Sequence, residues 1–145
     1  MPVQHTTCYF DTFITVAPDS SATAGVEPVV RPGAEPSIAA RTYALIAAAP
    51  YRHTSDEVIF TVWADRHRIA EIDREAARVE FFGKPQACLR ASDLGKRHGW
   101  GVHSDTAGRV ALYAIGTPEY DLFASGVSPL DGHPVTVLAA LRSRR

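Results

Sequence analysis

Cysteine is nearly absent from this chain. It has two, Cys8 and Cys88, far apart and in no Cys-x-x-Cys pair. A disulfide framework and a structural zinc site therefore lack their usual ligands, and two free thiols in a reducing compartment are the default reading. An excess of one charge is missing too: 15 basic against 16 acidic residues leave a net charge of −1. A nucleic-acid backbone needs a basic face, so DNA and RNA are not expected partners. No apolar run approaches the ~20 residues that span a bilayer. The opening MPVQHTTCYF carries no basic-then-apolar leader pattern. The expected location is the cytoplasm, with no membrane partner.

What is present is ordinary for a globular protein, at 46% hydrophobic and 21% charged residues, which argues against wholesale disorder. A length of 145 residues suits one core, so the expectation is a single domain over 1–145. The run CYFDTFITV, from Cys8 to Val16, is aromatic and β-branched and predicts a strand closed by Ala17-Pro18-Asp19. From Ser20 to Pro36 three prolines and two glycines predict an exposed flexible loop, with a lid and a plain surface insertion both open. Ser37 looks like an N-cap. After it Ile38, Thr42, Leu45, Ile46 and Ala49 fall at helical spacing up to Pro50.

Thr54-Ser55-Asp56-Glu57 matches a capping box, although the following VIFTVW has strand propensity. The cap and the charged end Asp65-Arg66-His67-Arg68 favour a helix over about 55–68, with a strand at Val58–Trp63 as the alternative. Asp56 and Glu57 are explained as capping residues. Ile72, Ala76, Val79 and Phe82 mark another helix, stopped by Gly83-Lys84-Pro85. Thr117-Pro118-Glu119 opens a short helix ending near Gly126, and Asp131-Gly132 turns the chain into a final strand, PVTVLAAL. The tail with Arg142, Arg144 and Arg145 reads as frayed and solvated over 142–145.

Chemistry concentrates between Gln86 and Tyr113. Ser92 to Arg97 reads as a helical turn capped by Ser92 and ended by Gly99. Trp100–Ser104 and Arg109–Ile115 read as a hairpin around Asp105-Thr106-Ala107-Gly108. With Ser104 opposite Arg109, Trp100 would pair with Tyr113 on one face and His103 with Val110 on the other; a one-residue slip reverses every facing. Cys88, near the cations Arg90, Lys96 and Arg97, is either a nucleophilic thiol or a buried small hydrophobe. His98, His103 and Asp105 form a mixed nitrogen and oxygen set, but their spacing matches no helical metal pair, so no metal site is assigned. His103 beside Asp105 is either a general base or a hydrogen-bonded structural histidine. Arg90, Lys96, Arg97 and the turn at Ser92 offer an anion site, and Trp100 or Tyr113 a stacking surface. The alternative is a solvated basic surface over two core aromatics. His5, His53 and His133 are not grouped with anything.

CLRASDLGKRHGWGVHSD followed by GRVALY resembles the signature of a family of small, uncharacterised bacterial proteins known as a domain of unknown function. YFDTFITVAPD, PYRHTSDEVIFTVWADR and LAALRSRR resemble the same family, so the likeness spans nearly the whole chain. The family pattern has proline after the serine of CLRxS, where this chain has Asp93. The resemblance implies no activity.

The expected fold is α+β: a small antiparallel sheet centred on the hairpin, flanked by the terminal strands, with helices packed on one face. Three functions remain in view. One is binding of a small anionic or planar ligand through Arg90, Ser92, Lys96, Arg97, Trp100, Asp105 and Tyr113. Another is an enzyme using Cys88 or His103, with or without a metal. The third is a structural or interaction protein, with a homodimer as its form. No cofactor is specified.

Overall fold

The strand expected over Cys8–Val16 is ordered as a strand only at Thr12–Thr15, β1. In the computed structural model, which describes residues 3–143, β1 is an inner strand of a four-stranded sheet. The others are β2 (Trp100–Ser104), β3 (Val110–Ala114) and β4 (Thr136–Ala139), in the order β3-β2-β1-β4. Arg144 and Arg145 of the basic tail lie outside the described residues.

The helices follow their caps. In α1, Ile38–Ala48, the Ser37 side chain accepts from the Ala40 N–H. In α2, Ser55–Arg66, the capping box is complete: Thr54 accepts from Glu57 N–H, and the Glu57 carboxylate accepts from Thr54 N–H. The strand-like run VIFTVW is therefore helical. Its apolar residues serve two layers, with Val58 and Val62 in the main core and Phe60 and Ala64 in a smaller cluster with Phe82. A helix buried on two sides takes apolar residues on both, so it accommodates a run with strand propensity. Asp56 does more than cap. Its carboxylate takes hydrogen bonds from Thr7 N–H and Oγ1 (2.7 and 2.6 Å) and from Thr6 Oγ1 (2.7 Å), tying the N-terminal segment to α2.

Next come α3 (Arg74–Phe81), the single turn α4 (Asp93–Lys96) and α5 (Pro118–Ala124). Of the apolar positions that marked the third helical segment, Phe82 is buried, but Ile72 is 91% exposed and Val79 53% exposed.

Three features of the sheet differ from expectation. It is mixed, because β4 runs parallel to β1. Strand β3 is antiparallel to β2, which is antiparallel to β1. A helical crossover from β3 brings the next strand back in the same direction, hence parallel to β1. That crossover is α5, so helices cover both faces: α1 and α2 pack over Ile14, Val102 and Val110, while Tyr120 and Phe123 of α5 pack over Phe13. The hairpin register is also shifted by one residue. Ser104 pairs with Val110, His103 with Ala111, Gly101 with Tyr113 and Trp100 with Ala114. The Asp105 carboxylate accepts from Ala107 and Arg109 N–H (2.9 and 2.8 Å), and Gly108 takes φ +80°. Those contacts tighten the loop to three residues, the form that ends in a left-handed glycine.

Candidate functional site

The register decides which side chains of Gln86–Tyr113 can meet. Cross-strand partners share a face, so Tyr113 and His103 lie with Phe13 on the α5 side, while Trp100 lies on the α1 side with its ring 5.3 Å from Tyr43. Trp100 Nε1 donates to Val26 O at 3.0 Å, and Val26 N–H donates to His98 O at 2.8 Å. The first half of the 20–36 loop is thus fastened over the indole.

His103 is 4% exposed and lies against Phe123 with ring centroids 4.3 Å apart. Its Nδ1 is 2.8 Å from Tyr51 Oη, which is 2.8 Å from Tyr113 Oη. Tyr51 sits in the link between α1 and α2, where its N–H bonds Val110 O at the sheet edge and its φ is +61°. Such a φ is unusual for a bulky residue and is sustained only by surrounding contacts. Burial lowers the His103 pKa against the opposing pull of Asp105, Asp11 and Asp131. Burial and the Tyr113 hydroxyl push the Tyr51 phenol far above its usual range. The result is a neutral imidazole in a hydrogen-bonded chain of hydroxyls, enclosed by aromatic rings.

Cys88 is on the opposite side of the sheet. Its Sγ is 3.4 Å from Tyr9 Oη, and this contact, with burial, raises the phenol pKa while Arg90 pulls it down. Arg90 is tied to the edge of β4: its Nε donates to Ala139 O and its carbonyl accepts from Leu141 N–H, both at 2.8 Å. Ser92 caps α4 by accepting from Leu94 N–H at 3.1 Å. Lys96 ends that turn, and exposed Arg97 faces Asp93 at 3.8 Å. Asp105 is engaged in the hairpin turn. The predicted residues therefore fall into separate groups: Tyr113 with His103, Cys88 and Arg90 with Tyr9, Cys88 again beside Ser92 on a groove, and Trp100 beneath the loop. Among the described residues no group of three or more His, Cys, Asp or Glu side chains is arranged to hold a metal ion.

A groove of about 290 Å³ lies between α1, α2 and the 86–92 segment. Ile38, Ile59, Val62, Trp63 and Phe81 make its apolar walls, and Thr42, Cys88 and Ser92 add polar atoms. Its boundary residues Ile38 and Arg66 also line a second depression, of about 340 Å³, with Glu35, Arg41 and Arg68. Three arginines and one glutamate thus line this second space. Of the residues here, the sequence reading singled out Cys88 and Ser92 as site candidates. In the sequence Arg66 and Arg68 mark only a charged helix end, and Arg41 and Glu35 belong to no motif. The available signal was a pair of arginines at positions that the packing of α1 on α2 brings together.

These features define a small α+β protein with a mixed sheet, helices on both faces and an apolar groove opening beside clustered arginines. The chain belongs to the family of unknown function DUF6157, whose pattern matches residues 4–145. No curated protein and no solved structure matches it. No helix among the described residues is long and apolar enough to cross a membrane.

Proposed function

We propose that the protein binds a small amphipathic anion, with its apolar body in the groove and its charged end toward the arginines. The observation that carries this reading is the shared boundary, where Ile38 and Arg66 line both the apolar groove and the cationic depression. Small-molecule sites are mostly apolar clefts with a few placed polar groups, and guanidinium forks suit carboxylate or phosphate oxygens. In this reading Arg41, Arg66 and Arg68 supply the cations, while Cys88 and Ser92 form part of the groove wall.

Calorimetric titration with octanoate, octyl phosphate and octanol tests the reading. The anionic probes are expected to bind with Kd on the order of 10 μM to 1 mM, the range that a dozen or so heavy atoms support. An Ala91→Trp variant, which fills the groove, is expected to bind at least about tenfold more weakly with its fold intact. Flat titrations with all three probes, or equal binding by the filled variant, would count against it.

A second reading is favoured by the position of Cys88 on this groove with the Tyr9 hydroxyl 3.4 Å from its sulfur. A Cys88 thiolate, its proton lost to solvent and its charge held by the Tyr9 hydroxyl, would add to an electron-poor carbon–carbon double bond of a bound ligand, and the carbanion left by the broken π bond would take a proton from solvent. Faster alkylation of Cys88 than of Cys8 by iodoacetate, slowed by octyl phosphate, is the expected result. Equal rates at both thiols would remove this reading.

A further inference from the structure

Resting on the groove-binding reading, we infer that the ligand's charged end is a phosphomonoester dianion, and that Glu35 is an internal anion this group displaces. Glu35 is bound at both oxygens: Oε2 lies 2.7 Å from Arg41 Nη2 and Oε1 lies 2.9 Å from Arg68 Nη2. Its carboxylate thus takes the place that a ligand carboxylate would seek. Arg66 lines the same depression and has no ion-pair partner among the described residues, so the cations outnumber the anion.

Glu35 lies on a segment well suited to letting go. The chain is fastened at Val26 and again at Ser37, the cap of α1. Between them, Glu27, Arg31 and Glu35 each precede a proline, which biases the backbone to extended conformations. Residues 31–34 form a turn closed by Ala34 N–H to Arg31 O at 3.1 Å, with Gly33 at φ +77° and open space around it. Among the described residues, the hydrogen bonds from 27–36 to the remainder of the chain come from Arg41 and Arg68. These are the two ion pairs to Glu35 and a bond from Arg41 Nε to Pro36 O at 3.3 Å. Pro28 is buried as well, so the bonds to Glu35 hold chiefly the part of the strap that follows it.

A single ligand carboxylate gains little here. It exchanges like for like against a tethered competitor whose effective concentration is in the millimolar range. A phosphomonoester carries roughly −1.5 to −2 charges and three acceptor oxygens. It can engage Arg41 and Arg68 and also Arg66, and so can outcompete Glu35 where a carboxylate does not. The strap then swings free at the 31–34 turn.

The test uses calorimetry and amide hydrogen exchange on the full chain, with Glu35→Gln and Glu35→Asp. Wild type is expected to bind octyl phosphate at least about tenfold tighter than octanoate. Glu35→Gln tightens both anions by about five- to tenfold, the scale of two exposed ion pairs, and leaves octanol unchanged. Glu35→Asp keeps the charge but not the reach across two arginines, and tightens them by a smaller factor. In wild type, octyl phosphate speeds exchange over 29–35. Equal affinity for octanoate and octyl phosphate overturns the ligand class. Unchanged affinity in both variants, or slower strap exchange on binding, overturns the displacement while leaving the groove reading standing. Binding of vesicles containing phosphatidic acid without binding of soluble octyl phosphate overturns a free small molecule as the source. No binding of any probe to any of the three proteins removes the groove reading, and this inference with it.

Discussion

At the scale of single residues, the feature with the clearest consequence is the Tyr51–His103–Tyr113 chain. Replacing Tyr51 with Phe removes one hydroxyl and strands two partners, His103 Nδ1 and Tyr113 Oη. The expected cost is about 1–3 kcal/mol, since buried polar groups left without partners carry an uncompensated desolvation penalty. Urea denaturation measures it, and a Tyr51→Phe protein as stable as wild type would show that the chain contributes nothing. The same histidine gives a pH dependence. Its folded pKa lies below the ordinary 6.5 because burial disfavours the imidazolium. The unfolded chain takes up a proton near pH 6.5 before the folded one does, so this increment is present above that pH and is lost as pH falls through the folded value. Asp56 acts in a lower window. Burial pushes its carboxyl up, but hydrogen bonds from Thr7 and Thr6 outweigh that and hold it below 3.8, so its contribution fades only as pH falls below this. Stability followed from pH 8 to pH 4.5 should therefore decline in wild type and decline less in His103→Gln. Parallel curves would assign the titration to other groups.

At the scale of elements, local chemistry predicts local structure, and one substitution measures how much depends on it. Thr54→Ala removes the N-cap of α2 and should cost about 1 kcal/mol in a thermal or urea melt; no loss would mean that packing alone holds the helix start. The caps at Ser37, Thr54 and Ser92 are legible because each is a side-chain bond within a few residues of its own backbone, and the start of α5 is legible from Pro118. The hairpin was legible in existence but not in register, because Asp105 turns its carboxylate onto two loop N–H groups and shortens the loop. The parallel placement of β4 was less accessible still, since it depends on where α5 crosses the sheet and not on any residue of PVTVLAAL. Gly101 shows how nonlocal packing uses an unremarked residue. A Cβ there would collide with the Phe13 ring and lie 2.9 Å from Tyr120 Cε2, so the glycine admits α5 to the sheet. Gly101→Ala should destabilise by at least about 1–3 kcal/mol through overpacking. A stable variant with wild-type near-ultraviolet dichroism would mean that this face has room for a methyl group and is not closely packed.

On the scale of the whole molecule, the proposed groove has no compact sequence signature, because α1, α2, α3 and the 86–92 segment each contribute separate side chains. The stretch that concentrated reactive residue types is divided by the sheet, and what the fold assembles instead is an apolar space bordered by arginines from α1 and from the end of α2. The two tryptophans lie in different settings and can report which site a ligand enters. Trp63 lines the groove, with its ring 5.0 Å from Phe81, whereas Trp100 is held under the loop by its bond to Val26 O. A ligand that enters the groove changes the solvation of Trp63 and leaves Trp100 as it was. Octyl phosphate should therefore shift the emission of wild type and of Trp100→Phe alike, and leave Trp63→Phe spectrally silent while calorimetry still detects binding to it. Raising salt from 0.05 to 0.5 M should weaken octyl phosphate and spare octanol, because the screening length around exposed guanidinium contacts shortens from about 14 Å to about 4 Å. A response that followed Trp100 instead, or that ignored salt, would place the ligand beneath the 20–36 loop and away from the arginines.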